Sequence, residues 1–359
     1  MSKIIRVKAP SNIALVKYMG KKDFSKNLPA NSSLSMTLSN LSTLVELRSG
    51  VGKGDQIFLD AQLPEGLPPS QSRWEVPKLD SKNFLRIENH FKRVVESAPP
   101  ILDLLHLPMQ VPTGLVLRTA NCFPASSGIA SSASSFAALT LAFLACLAKD
   151  TQKFIDLYNE YSLTDHPLNQ QVAALARSGS GSACRSLQGP WVEWSESGVQ
   201  SWKSSRLPEM AHFVLLVRTQ PKTVGSSEAH KRVLSSPLWV GRAERANTRV
   251  DRVRNAIQQG DLKILAHEVW KEAWEMHSLF HTSDLPFTYW QGGTLKALEF
   301  FSKFLDGEFP PIVTLDAGPN PHLIVPMEHR DLWKRRLQES FSEMEVLEDS
   351  HGRGAVFLS

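Results

Sequence analysis

Residues 136–148, FAALTLAFLACLA, run for thirteen positions with one hydroxyl and no charge. The run is too short to cross a membrane, and a helix apolar on every side must be covered on every side. The chain must therefore fold in layers around a buried helix. Just ahead of it, FPASSGIASSASSFAAL (123–139) crowds six serines and Gly128 onto that helix's mouth. One or two serines satisfy orphan amides as N-caps. Six, beside a glycine free in its backbone angles, also suit donors converging on an anion, because helix N-termini carry free N–H groups and the positive end of the peptide dipole. The local pattern leaves a rich cap and a phosphate cradle equally open.

At 359 residues the chain exceeds the length one core usually serves, so two domains or one two-lobed domain are expected. Strands rich in β-branched residues are predicted in KIIRVKA, TLVELRS and LVLRTA (115–120). A hairpin excursion and loop are predicted around QIFLD, between residues 50 and 80. Phe84, Ile87, Phe91, Val94 and Val95 fall at helical spacing within 81–98. The core helix over 131–148 follows, then shorter helices at 151–161 and 168–177. After the glycine–serine turn SGSGSACRS (178–186) and a strand in PWVEW, the polar stretch 198–208 marks a boundary, giving lobes 1–205 and 206–359. In the second lobe HFVLLVRT (212–219) reads as a buried strand. Helices are predicted near 227–236, 240–259, 261–280 and 293–305, and PIVTLDAG and HLIVP pair around a Gly-Pro-Asn turn. Alternation of the two element types in both halves gives a mixed α/β chain in two lobes.

A formal charge of +4 and a pI near 8.9 are only mildly basic. The densest basic run, HRDLWKRRL (329–337), reads as the solvated face of an amphipathic helix and not as a nucleic-acid stripe. Small anionic ligands fit this balance better than nucleic acid. Cys122, Cys146 and Cys184 lie far apart without a CxxC pair, the pattern of reduced thiols in a cytoplasm. The N-terminal apolar stretch is too short for a signal peptide. GxxxxGK[ST] and GxGxxG are both missing from the sequence. Four polar clusters stand out: SNIALVKYMGKK (11–22), the serine loop, GSGSACR and TLDAGPN (314–320). Each alone reads more readily as a turn bearing a charge. Together they set two glycine–serine turns and several cations against one aspartate at a strand end.

NIALVKYMGK, LPANSSLSMTL, FPASSGIASSA, GSGSACRS and TLDAGPNPH, in consistent order between about residues 5 and 326, resemble the signature segments of diphosphomevalonate decarboxylases. That family lies in the superfamily of galactokinase, homoserine kinase, mevalonate kinase and phosphomevalonate kinase. The resemblance implies a ribosomal-S5-domain-2-like N-terminal lobe with a left-handed βαβ unit, a ferredoxin-like C-terminal lobe, and an active site in the cleft between them. It implies ATP and Mg²⁺ as cofactors, mevalonate 5-diphosphate as substrate, and isopentenyl diphosphate, ADP, phosphate and CO2 as products. A cytoplasmic homodimer without membrane or nucleic-acid partners is the expected state.

Carried over by position, Asp316 matches the catalytic aspartate that contacts the 3-hydroxyl, and Lys17 sits beside it to hold its charge. Arg185 supplies a planar fork that orients the substrate carboxylate, with Asn12 positioning that cluster. Tyr18, Met19, Gly20, Lys21, Ser180, Gly181 and Ser182 match the segments holding the substrate diphosphate. Pro124, Ser127, Gly128, Ala130, Ser131 and Ser132 match the ATP phosphate loop, with Ser132 the side chain assigned to Mg²⁺. Several positions depart from the family pattern. Met19 replaces a tryptophan, Ala125-Ser126-Ser127 replaces Thr-Ala-Ala, and Ser135 replaces a glycine. Glu272-Ala273-Trp274-Glu275-Met276-His277 stands for Asp-Ser-Asn-x-x-His, and Ser226-Ser227-Glu228-Ala229-His230 for Ser-Thr-x-Gly-Met. These bear on whether one or two phosphates are accepted at C5. A mevalonate 5-phosphate decarboxylase, a mevalonate 3-kinase and a non-catalytic nucleotide-binding relative remain the rival readings.

Overall fold

The structure, a computed structural model, describes residues 3–24, 27–51, 57–68, 74–78, 80–124, 129, 131–217 and 223–358. Ser127, Gly128 and Ala130 of the serine loop lie outside the described residues, as do Ala125 and Ser126. The chain opens with β1 (Lys3–Val16), the short pair β2 (Lys21–Asp23) and β3 (Leu28–Pro29), and β4 (Ser33–Ser49). β5 (Ile57–Leu59), α1 (Ser81–Asp103), β6 (Leu115–Asn121) and α2 (Ser131–Leu147) come next. They are followed by α3 (Thr151–Tyr161), α4 (Pro167–Gly179), a 3₁₀ turn over Gly181–Ser186, β7 (Trp191–Ser195) and β8 (Gly198–Trp202).

The first sheet runs β13-β1-β4-β6-β5 with β7 and β8 attached, once the last strand, β13 (Val356–Leu358), is counted. β4 is long enough to serve two partners on one edge: Ser33–Met36 pairs with β7, and Thr43–Arg48 with β6. Every residue of α2 from Phe136 to Leu147 is buried, as its all-round apolar sequence requires. It lies on β1 and β4 and is covered by α1 and α4. At the α1–α2 contact, His90 Nε2 donates to Thr140 Oγ1 at 2.8 Å, and that hydroxyl donates to the Phe136 carbonyl at 2.6 Å.

The second lobe continues with β9 (Met210–Leu216), α5 (Ser226–Arg232), α6 (Arg242–Gln259), α7 (Leu262–His281), α8 (Gly292–Ser302), β10 (Ile312–Leu315), β11 (Pro321–Pro326), α9 (Arg330–Ser340) and β12 (Glu345–Ser350). Its antiparallel sheet has the order β10-β11-β9-β12. This strand order, with helices after the first and third strands, is the ferredoxin-like arrangement. α6 and α7 lie between the two sheets, and one apolar cluster joins Ile13 and Leu15 of β1 to Val250 of α6, Val269 of α7 and Val214 of β9.

Three features differ from the sequence-based expectations. Among the described residues the QIFLD segment makes no hairpin; β5 pairs parallel to β6. α1 continues through Pro99 and Pro100 to Asp103, because both prolines face solvent while Ile101 and Leu102 beyond them are buried. The carbonyls of Val95 and Glu96, which lose their donors, lie toward the exposed side, where water can serve them. Part of the polar stretch 198–208 is β8, and β13 returns from the second lobe to pair with Arg6–Lys8 of β1.

Burial pushes the His90 imidazole down to about 3, so it stays neutral in the fold while the unfolded chain titrates near 6.5. Its folded pKa is the lower one, so its stability is full above pH 6.5 and lost as pH falls toward 3. In urea titrations between pH 7 and 4.5, His90→Gln should show a slope shallower by about 1.4 kcal/mol per pH unit below 6.5. Parallel slopes in parent and variant would contradict this.

Candidate active site

β1 and β10 end side by side where the two sheets meet. Lys17, the first residue after β1, donates from Nζ to Asp316 Oδ1 at 2.8 Å and to the Ala14 carbonyl at 2.6 Å. The Lys17 side chain is 2% exposed and that of Asp316, the first residue after β10, 22%. Burial lowers the Lys17 pKa and Arg185 adds to this; Asp316 and Glu272 act against it. The backbone around the pair is also held. Glu272 Oε1 accepts the Lys17 N–H at 2.9 Å, and Asn31 Nδ2 donates to the Lys17 carbonyl at 2.9 Å. His277 Nε2 donates to the Asp316 carbonyl at 3.1 Å. Burial and the nearby Lys17 push His277 down to about 3, which keeps it neutral and able to donate from this one nitrogen.

Arg185 comes from the 3₁₀ turn at the end of α4. Its Nη1 donates to Ser33 Oγ at 2.8 Å, its guanidinium lies 5.8 Å from the Trp194 ring centroid, and its buried Nε has no partner among the described residues. Burial lowers its pKa, though an arginine remains charged. A buried guanidinium with a donor unused suits a planar anion. Asn12 sits at a register shift in β1 and reaches the turn that carries Arg185, not the guanidinium. Its Nδ2 donates to Ser186 Oγ at 2.8 Å and to the Ser182 carbonyl at 3.2 Å.

Tyr18 packs between Trp194 and His230, with ring centroids 4.7 and 4.5 Å away, and its buried hydroxyl makes no hydrogen bond among the described residues. Gly181 lies so close to this ring that a Cβ there would press on it. Gly20 takes φ +81° and donates to His230 Nδ1 at 2.9 Å, and a Cβ there would overlap the Trp239 ring. Met19 fills an apolar cluster with Phe280, Tyr289 and Ala317 of the second lobe. Lys21 Nζ reaches Asn27 Oδ1 at 2.6 Å, and burial together with Arg86 and Lys231 lowers its pKa.

The described serines at the mouth of α2 divide into two pairs. Ser134 and Ser135 turn their hydroxyls back to the Ser131 carbonyl, at 3.1 and 2.8 Å. Ser131 and Ser132 occupy the first turn, which carries no acidic residue, and Ser132 Oγ lies 3.0 Å from Ser180 Oγ. The serine loop and the GSGSACRS turn therefore meet directly. Pro124 is half-buried just before the residues outside the described set. Among the described residues no group of three or more His, Cys, Asp or Glu could hold a metal ion, and no helix is long and apolar enough to cross a membrane.

The structure thus brings Lys17 to Asp316, Asn12 to the Arg185 turn, Tyr18 to Gly181, and Ser132 to Ser180. Sequence reasoning left Glu272, His230, Trp194 and Ser33 without a site role. Three signals were available for them: Ser33 lies within LPANSSLSMTL, Glu272 stands where the family pattern has an aspartate, and His230 where it has a methionine.

Residues 9–206 match the family described as the diphosphomevalonate decarboxylase-like N-terminal domain, and residues 212–355 the mevalonate 5-diphosphate decarboxylase C-terminal domain. A diphosphomevalonate decarboxylase of Aspergillus fumigatus is 32% identical over 87% of this chain and 74% of its own. The crystal structure of a mevalonate diphosphate decarboxylase from Legionella pneumophila is 35% identical, covering 96% of this chain and 100% of that one, with a TM-score of 0.75. A structure described as MDDEF in complex with MVAPP, AMPPCP and magnesium is 25% identical with both chains fully covered, at a TM-score of 0.78.

Gly20→Ala should cost about 1–2 kcal/mol from the positive φ alone, plus the clash with Trp239. A double-mutant cycle with Trp239→Ala, read by chemical denaturation, should recover the clash part of that cost. Strictly additive effects would show that the ring does not constrain this turn.

Proposed function

The chain belongs to the diphosphomevalonate decarboxylase family, and on that premise we propose how its residues divide the work of ATP-dependent decarboxylation of (R)-mevalonate 5-diphosphate. The observation that carries the reading is the Lys17–Asp316 pair, joined at 2.8 Å across the two lobes in the same buried cluster as Arg185. ATP and Mg²⁺ take part in the reaction. The first turn of α2 suits the nucleotide's phosphates, having no acidic residue, the positive end of the helix dipole and the Ser131 and Ser132 hydroxyls. Ser132 would hold Mg²⁺ jointly with the phosphate oxygens, where the cation supplies charge neutralisation for phosphoryl transfer.

Asp316 faces the 3-hydroxyl and takes its proton late, as the γ-phosphoryl group arrives. Lys17 fixes the carboxylate through Oδ1. In the second stage the C3–O bond breaks and the 3-phosphate leaves with its electron pair. The C1–C2 bond breaks as well, and its electrons form the C2=C3 double bond of isopentenyl diphosphate while CO2 departs. A tight clamp on the carboxylate would favour the ground state, so Arg185 orients this group and does not grip it. The bond to Ser33 fixes the guanidinium through Nη1 and leaves its Nε to meet that group. Tyr18, Lys21 and the Ser180–Ser182 turn line the place for the 5-diphosphate, with Met19 and Gly20 shaping the wall between them.

The enzyme works as a cytoplasmic homodimer, with residues 1–205 and 206–359 as its lobes and β13 lent back to the first. All three cysteines are buried free thiols, which supports a reducing compartment.

Asp316→Asn keeps the shape and removes the proton acceptor, so kcat should fall by about 10²–10⁴ for ADP and CO2 alike. Equilibrium binding of ATP and substrate should survive. Near-parental ADP release without CO2 would move Asp316 to the elimination step, and near-parental release of both would place the chemistry elsewhere. Arg185→Lys keeps the charge and loses the fork, so kcat should fall more than KM rises. A rise in KM alone would rule out orientation.

A further inference from the structure

Glu272 lies on α7 with its side chain 0% exposed. A carboxylate taken fully out of water has to be charge-paired and hydrogen-bonded. Arg242 meets it in fork geometry, Nη1 to Oε2 at 3.0 Å and Nη2 to Oε1, and Arg249 Nη1 donates to Oε2 at 2.6 Å. Both arginines lie on α6, so the carboxylate is locked between the two helices. The remaining donor to Oε1 is the Lys17 backbone N–H, at 2.9 Å, from the other lobe. β1 ends at Val16, so no ladder partner serves this amide. Asn31 holds the carbonyl of the same residue, which fixes both backbone groups of Lys17.

We propose that Glu272 is a positioning residue for the reaction: clamped by Arg242 and Arg249, it holds the Lys17 backbone so that Nζ stays on Asp316 when the cleft is occupied. The proposal rests on the reading of Lys17 and Asp316 given above. The two-arginine lock seats the Glu272 carboxylate with one oxygen on the Lys17 amide. The charge matters as well as the hydrogen bond. Lys17 is faced by Asp316 after β10, by Glu272 and His277 on α7, and by Arg185 on the 3₁₀ turn. Of these, Glu272 and Asp316 alone favour the ammonium form, against burial and Arg185.

Glu272→Gln preserves the acceptor oxygen and removes the charge, leaving Arg242 and Arg249 under-compensated beside Lys17. Two readouts separate positioning from scaffolding. The first is steady-state kinetics, where kcat should fall on the order of 10- to 100-fold with KM for ATP nearly unchanged. The second is the Lys17 ammonium titration, followed by ¹³Cε-lysine NMR and assigned by loss of its signal in Lys17→Met. This titration should move to lower pH. Parental kcat with an unmoved titration would overturn the proposal. Should Glu272→Gln fail to fold, Arg249→Gln takes its place. That variant removes one of the two cations that offset the Glu272 carboxylate, so the Lys17 titration should move to higher pH, and an unmoved one would overturn the proposal. Retained turnover in Asp316→Asn would instead remove the catalytic reading, while the Lys17 titration still reports whether Glu272 holds its charge.

Discussion

A lysine ammonium with its side chain 2% exposed can stay charged only if something nearby repays the lost water, and here that is Asp316 at 2.8 Å. Much of the architecture serves this meeting. The ends of β1 and β10 must arrive together, though they belong to different sheets, and the α6–α7 layer between the sheets sets that distance. Its apolar cluster carries residues from β1, β4 and β9 at once, so the two lobes, each with a cluster of its own, are also joined by a shared one. The backbone hydrogen bonds of Asn31, Glu272 and His277 then leave the pair little freedom to drift.

Around this pair the cleft is rich in cations and donors. Lys21 lies in the field of Arg86 and Lys231, and Lys17 in that of Arg185, and the pKa shifts of Lys17, Lys21 and Arg185 are all downward, led by burial. Such a site is unfavourable when empty and improves when an anion enters it. A nucleotide triphosphate and a diphosphate bearing a carboxylate bring that charge, which links the cost of building the cleft to the ligands it takes. The tilt of Tyr18 between Trp194 and His230 provides an apolar wall beside the same donors.

How much of this was readable in the chain depends on how local the cause was. The apolar run 136–148 announced a buried helix because its covering is dictated by its own composition, and β1, β4, β6 and the β10–β11 pair followed from β-branched runs and turn residues. The serine loop was legible as a helix mouth, although only the fold shows Ser134 and Ser135 serving their own helix while Ser132 meets Ser180. The unread parts arise from distant partners. β5 pairs parallel to β6 across a long connection, β13 crosses back to β1, and α1 runs through two prolines because of what Ile101 and Leu102 bury beyond them. Glu272 read as a departure in a motif, since its meaning depends on two arginines 30 and 23 residues away and on a lysine amide 255 residues away.

The central claim is that one cleft first phosphorylates the 3-hydroxyl and then expels that phosphate together with CO2. The most direct measurement gives the purified protein ATP, Mg²⁺ and either mevalonate 5-diphosphate or mevalonate 5-phosphate, and follows ADP and CO2 in the same reaction. The account predicts turnover of the diphosphate with ADP and CO2 formed one to one. ADP without CO2 would make the protein a 3-kinase, and preferential CO2 release from the monophosphate would contradict the assignment of the Tyr18–Lys21 and Ser180–Ser182 segments to a diphosphate.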